Sequence, residues 1–232
     1  MKRSADASRP AARPRGRPRS FDEKKVLGAV LDTFWTRGYA ATSLDDLAAA
    51  GQVKRPSLYA AFGGKEEMYL RAFALFEARL TAELGRCLDP SRPLAEGLAA
   101  MYRGAIDTYL AGPAGPRGCL AVCTATTAAV EEPAIRAALQ GVLTRLDEGL
   151  AARFRAARAA GEIPPGPPAK RLAQIAAGSL HSIAIRARAG TAKRELLALA
   201  AAAVTLLAGA PAPKHTGRTR RGPVRAVTAR RT

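Results

Sequence analysis

Histidine is nearly missing from this chain, with two in 232 residues, and cysteine is scarce at three. Cys87, Cys119 and Cys123 are an odd and sparse set, which argues against a disulfide framework and suits a reducing cytoplasm. Cys119 and Cys123 stand one helical turn apart, but no histidine or third cysteine lies nearby in sequence to complete a metal site. Neither a metal nor a cofactor is expected, and the cysteines read as packing residues, with a redox-sensing thiol as the alternative. His181 and His215 join no recognisable nucleophile, base and orienting acid, and no phosphate-binding glycine loop follows a strand, so the pattern does not suit an enzyme. Long apolar runs are lacking too: the longest, 196–212, is interrupted by Thr205 and Pro211 and falls short of the ~20 residues a membrane-spanning helix needs. The basic N-terminus is not followed by the apolar stretch of a signal peptide. Aromatic residues are only 5%, so the 48% apolar content rests mainly on Ala and Leu, a balance that favours helix over sheet and an all-α fold.

Positive charge, by contrast, is abundant and unevenly placed. The formal net charge is +18, with seven Lys or Arg against one acid in residues 1–20 and seven against none in 211–232. The body between them is close to balance. Basic arms of this kind track a polyanion, because each phosphate they neutralise releases condensed counterions. For the C-terminal arm a solubilising tail is an equal alternative. Four segments are expected: a disordered basic arm at 1–20, a helix-turn-helix unit at 21–66, a helical ligand-binding and dimerisation body at 67–209, and a disordered basic tail at 210–232.

Within the arm, Pro14-Arg15-Gly16-Arg17-Pro18 resembles the core of an AT-hook, an extended segment whose arginines enter a narrow minor groove. A first helix is expected from Phe21, with Ser20 and Glu23 at capping-box spacing. Val26, Leu27, Val30, Leu31, Phe34 and Trp35 recur at three- and four-residue steps as its core stripe, and Gly38 ends it. Thr42 or Ser43 caps a short second helix reaching about Ala50, and a break at Gly51-Gln52 follows. The third helix spans 54–62, with Pro56 tolerated in its first turn. A fourth runs over 65–88. Further helices are expected at 93–110, 118–130, 133–160, 169–189 and 192–208, separated by Gly/Pro-rich breaks. Helix, tight turn and second helix is the arrangement that inserts a recognition helix into a major groove.

Thr42-Ser43-Leu44-Asp45-Asp46-Leu47-Ala48, then Arg55-Pro56-Ser57-Leu58-Tyr59-Ala60-Ala61-Phe62 and Lys65-Glu66, resemble the DNA-binding domain of the TetR family of bacterial regulators. The resemblance covers about Gly16 to Phe73. It implies that Thr42 and Lys65 hold DNA phosphates, that Tyr59 packs on the DNA backbone, and that Leu58 and Phe62 are core. It places Lys54, Arg55, Pro56 and Ser57 where the recognition helix meets base edges. Arg15, Arg17 and Arg19 of the basic, AT-hook-like arm are expected to add contacts to the duplex. Arg55 is the expected base reader, since a guanidinium makes paired hydrogen bonds to guanine. Three positions depart from the family pattern: Gln52 stands where glycine is frequent, Lys54 replaces a small capping residue, and Ala61 replaces a histidine.

For the body, the resemblance implies an apolar effector cavity, and Met101, Tyr102, Tyr109, Cys123, Phe154 and His181 are the side chains available to line one. Each of these also reads as plain core. The last helix is apolar nearly all round, and the one before it carries small residues, so the two are expected to pair with their symmetry mates through Ile175, Ser179, Ile183, Leu196, Leu199, Val204 and Leu207. The expected function is that of a cytoplasmic homodimeric regulator, most simply a repressor. It would bind double-stranded, near-palindromic operator DNA, associate with the nucleoid there, and release it on binding an unidentified small-molecule effector. A non-specific architectural DNA-binding protein using its basic arms is the rival reading.

Overall fold

The structure, a computed structural model, describes residues 21–112 and 115–209. The basic arms, with Arg15, Arg17, Arg19 and the AT-hook-like segment, lie outside the described residues, as does Ser20. Among the described residues every regular element is helical.

Helix α1 (Glu23–Arg37) is capped by Asp22, whose carboxylate accepts hydrogen bonds from the backbone N–H groups of Lys24 at 2.9 Å and Lys25 at 3.3 Å. The cap therefore falls two residues after the one expected. Val26, Val30, Leu31, Phe34 and Trp35 are buried, and Leu27 packs at the margin of the core. Gly38 leaves the helix at φ +81°, in the region that favours glycine. A reciprocal box opens α2 (Leu44–Ala50): the Asp46 N–H donates to Ser43 Oγ at 3.1 Å, and the Ser43 N–H donates to the Asp46 carboxylate at 2.8 Å. The bonds from the Ser43 backbone and hydroxyl, then the one from Arg37, hold that carboxyl down at about 2.

The turn into α3 (Arg55–Phe62) departs from expectation in an informative way. Gln52 itself takes φ +53°, alone among non-glycine residues described, while Gly51 has an ordinary φ of −77°. Gly51 is instead required by packing, since a Cβ there would lie 2.9 Å from Val26 Cγ1 and 3.3 Å from the Leu47 carbonyl oxygen. After α3, the 23-residue helix α4 (Lys65–Cys87) extends for roughly 35 Å and carries the chain from the helix-turn-helix unit, the head, into the body.

The body comprises α5 (Leu94–Leu110), α6 (Thr126–Glu131), α7 (Pro133–Ala159), α8 (Ala169–Arg188) and α9 (Lys193–Ala208). Helix α7 packs on α8, α5 on α9, and α8 on α9. The helix expected from Gly118 starts later and differently. Gly118 has φ +65°, a Cβ there would sit 2.7 Å from both the Ala184 carbonyl oxygen and Cys123 Sγ, and Ala121–Ala125 form a π-helical turn ahead of α6. Arg153, buried on α7, donates to the Arg92 carbonyl at 2.7 Å and pairs with Glu162 at 2.9 Å. The Glu162 carboxylate in turn accepts the Leu94 N–H at 2.5 Å, so one ion pair starts α5 and joins it to α7.

Head and body meet along a seam of specific contacts. The indole N–H of Trp35 donates to the Gly118 carbonyl at 3.0 Å, and Arg117 pairs with Asp32 at 2.7 Å while stacking 3.9 Å from the centre of the Trp35 ring. Arg188 reaches the Thr36 carbonyl at 3.5 Å; just behind the seam, within the body, the hydroxyls of Tyr69 on α4 and Thr124 share a buried hydrogen bond of 3.4 Å. Burial, and then the neighbouring Glu132 carboxylate at the start of α7, push the Tyr39 phenol up to about 12.

Candidate nucleic-acid interface

Helix α3 presents two unlike faces. Leu58, Ala61 and Phe62 are buried in the head, whereas Arg55, Pro56, Ser57, Tyr59 and Ala60 face solvent. Tyr59 is 59% exposed, an unusual position for so large a ring in a protein with few aromatics. The helix begins on Lys54, which makes no capping bond, and Pro56 removes one of the N–H groups that a cap would have served. With its first turn uncapped by side chains and Lys54 and Arg55 beside it, this end of α3 favours anions. Arg55 pairs with the exposed Asp45 at 3.3 Å, a loose contact whose surrender costs little.

Lys65 and Thr42 behave differently from one another. The Lys65 ammonium lies 4.5 Å from the centre of the Tyr39 ring and 3.5 Å from the Ala40 carbonyl, which holds a point charge at the edge of the same surface. Thr42, expected on a phosphate, is 1% exposed, and its hydroxyl donates to the Gly38 carbonyl at 2.6 Å. That side chain locks the α1 exit turn and is withdrawn from the surface; the neighbouring Ser43, which caps α2, is exposed.

The expected effector residues divide as well. Met101 and Tyr109 line a cavity of about 290 Å³ between α4 and α5, whose walls also include Trp35, Phe76, Arg117 and Leu180. A second cavity of about 390 Å³ lies between α4 and α7, and Leu80 and Leu84 belong to both. Tyr102 and Phe154 are fully buried core, with the Tyr102 hydroxyl donating to the Ala176 carbonyl at 3.0 Å. Cys123 and His181 are half-buried and line neither cavity. Burial pushes the Cys119 and Cys123 thiols up and the His181 imidazole down from their ordinary values. Trp35 and Arg117 were not anticipated in this role: they stand 82 positions apart, and no local pattern announces their stacking.

Four residues expected in a dimer interface, Ile183, Leu196, Val204 and Leu207, are buried inside the protomer. The packing of α9 on α5 and α8, and of α8 on α7, takes up those faces. Ile175 is exposed, and Ser179 and Leu199 are partly so. The outward stripe is instead Ile175, Gly178, Ser182 and Ile185 on α8, beside Leu199, Ala202 and Leu206 on α9, with Leu206 86% exposed.

Residues 26–72 match the family described as bacterial regulatory proteins, tetR family, and residues 95–204 match the tetracyclin repressor-like C-terminal domain. The chain is 29% identical over 186 residues to the HTH-type transcriptional repressor ComR of Escherichia coli strain K12, covering 80% of this chain and 89% of that protein. Among solved structures it resembles a cysteine mutant of the TetR family transcriptional regulator CifR complexed with 26-base-pair double-strand operator DNA. The identity is 32%, the cover 82% of this chain and 98% of that one, and the TM-score 0.74. A TetR transcriptional regulator from Chloroflexus aurantiacus J-10-FL shares the fold at 22% identity, over 79% of this chain and 92% of that one, with a TM-score of 0.69.

Proposed function

The chain belongs to the TetR family of bacterial regulatory proteins, and from that premise we propose that it is a dimeric repressor, bound to a near-palindromic operator through α3 and released when a small molecule occupies its helical body. The carrying observation is the outer face of α3, where Arg55, Pro56, Ser57 and Tyr59 stand free to meet DNA while Leu58, Ala61 and Phe62 anchor the helix from beneath. Arg55 reads a base, Lys54 and Ser57 contact the groove or its edge, Tyr59 packs on the backbone, and Lys65 supplies charge to a phosphate.

Residues 21–66 serve as the head and 67–209 as the body. The basic segments 1–20 and 211–232, including Arg15, Arg17 and Arg19, add sequence-independent affinity through their charge. The exposed stripe of α8 and α9 pairs with its symmetry mate, which places two heads on successive grooves. No catalytic activity is assigned, and the protein acts on DNA in the cytoplasm.

Selection of bound duplexes from a random pool by the full chain tests this reading. Enrichment of an inverted repeat that resists excess random duplex is expected; binding that random duplex abolishes would favour the architectural reading instead. In the enriched duplex, Arg55→Ala should relax preference at one base pair by about 1–3 kcal/mol, whereas Lys65→Ala should weaken all sequences alike. Equal losses on specific and random DNA for both variants would contradict the assigned roles.

A further inference from the structure

The smaller cavity is the place where the head and the body share a wall. Trp35 comes from α1, Phe76 from α4, Tyr109 from α5 and Leu180 from α8, so a molecule inside it would touch all four elements at once. Its larger neighbour draws its walls from α4, α7 and the turn between α4 and α5, and touches nothing in α1.

The charge around the smaller cavity is lopsided. Arg79, Arg86 and Arg117 line it against one acid, Glu83, and Glu83 is already engaged by Arg86. Arg117 is mostly buried, over the Trp35 ring, with one terminal nitrogen on Asp32 and its Nε buried without a partner. A buried guanidinium N–H left unpaired is costly, and the group that satisfies it best is a carboxylate, which accepts two parallel bonds from the same fork. Aromatic faces on the remaining walls suit a compact apolar body.

We propose that this cavity binds a small organic monocarboxylate with a ring-sized apolar body, and that Arg117 receives the carboxylate. The proposal rests on the regulator reading for its consequence at DNA, though not for the binding itself. Since the same guanidinium holds Asp32 of α1 through a different nitrogen, anion and head share its single positive charge. Binding at Arg117 loosens the Asp32 contact, and reciprocity requires that loosening that contact strengthens binding.

Trp35 is the only tryptophan in the chain, so its emission reports this site without DNA present. The probes are 4-tert-butylbenzoate, its neutral counterpart 4-tert-butylbenzyl alcohol, and the cationic 4-tert-butylbenzylamine, titrated into the full chain. The carboxylate should perturb Trp35 at a concentration at least about tenfold lower than either analogue. Arg117→Gln should reduce carboxylate binding to the level of the alcohol while leaving the alcohol unchanged, and Arg117→Lys should restore part of the preference. Asp32→Asn, a change at a side chain 53% exposed, should leave the fold intact and tighten carboxylate binding about two- to fivefold. Equal binding of the three probes, a preference that survives Arg117→Gln, or an unchanged affinity in Asp32→Asn would overturn the proposal. Duplex selection by the same preparation separates the two readings: a protein that selects no operator yet prefers the carboxylate refutes the regulator reading alone, and one that selects an operator without that preference refutes the carboxylate site alone.

Discussion

Replacing Trp35 by Phe removes the indole N–H while keeping a ring, and so isolates the seam between head and body. Trp35 is 3% exposed, donates to the Gly118 carbonyl at 3.0 Å, and packs edge-on against Phe76 with ring centres 5.1 Å apart. Losing the donor leaves the Gly118 carbonyl without that partner in a buried place, at a cost of about 1–2 kcal/mol. The smaller ring leaves space that the surrounding helices only partly close, about 1 kcal/mol more. Weaker stacking under Arg117 costs about 0.5 kcal/mol. These contributions share one neighbourhood and need not add, so a loss of about 2–3 kcal/mol is expected.

Urea unfolding followed by far-ultraviolet circular dichroism measures this loss, at matched protein concentration because association shifts the midpoint. With a slope of about 2 kcal/mol per molar, the midpoint should fall by about 1–1.5 M. The packing control is Phe34, a core residue of the same helix that makes no hydrogen bond across the seam: Phe34→Leu should cost stability through packing alone. A Trp35→Phe midpoint within about 0.2 M of the parent would refute the view that the indole bond holds head to body.

At the turn, Gln52→Gly should leave stability equal or raise it by up to about 1 kcal/mol, and Gln52→Val should lower it by about 1–2 kcal/mol, because the left-handed φ penalises a branched side chain; the opposite order in thermal or urea unfolding would show that φ does not govern this position. Leu206→Glu should yield a folded monomer by sedimentation, because the side chain points outward, whereas the adjacent Leu207→Glu should unfold the body. Burial, opposed by Asp147, sets the His181 imidazole below its ordinary 6.5. The unfolded chain therefore takes up this proton first as pH falls through 6.5, so the stability tied to the neutral form is intact above that pH and declines below it. Urea midpoints at pH 7.5 and about 5.5 should differ less in His181→Gln than in the parent.

What was legible in the sequence was whatever local chemistry decides. The stripe from Val26 to Trp35, the Ser43 cap and the proline in the first turn of α3 each act within one or two turns, and the helices form where those signals stand. The outer face of α3 was legible for the same reason, because a helix only eight residues long has little choice of which side to bury. Direction was lost in α9, where alanine and leucine occur on every side. Periodicity there predicts a helix but does not say which leucines meet α5 and which meet solvent, and so Leu207, expected at a dimer interface, is buried in the protomer while its neighbour Leu206 faces outward. Thr42 failed differently. A threonine beside a helix start can cap it, meet a phosphate or close the preceding turn, and only the position of the Gly38 carbonyl selects among the three.

The seam was invisible because each of its bonds joins residues remote in sequence, yet it determines what the body can tell the head. Helix α4 forms one continuous rod from Lys65, beside the recognition helix, to Leu80 and Leu84, the ridge between the two cavities. A rod of roughly 35 Å tilted by about 5° moves its far end by about 3 Å. Phosphate contacts need donors within about 3 Å of their acceptors, so a movement of that size breaks them in both half-sites of a symmetric dimer. Such a tilt is resisted by Trp35 on Gly118 and by Asp32 on Arg117, both of which act at the head end of the smaller cavity. A ligand need only occupy that cavity and engage Arg117 to weaken one restraint while pressing on the rod, and the few kcal/mol held in the seam lie within the range that one small-molecule binding event supplies.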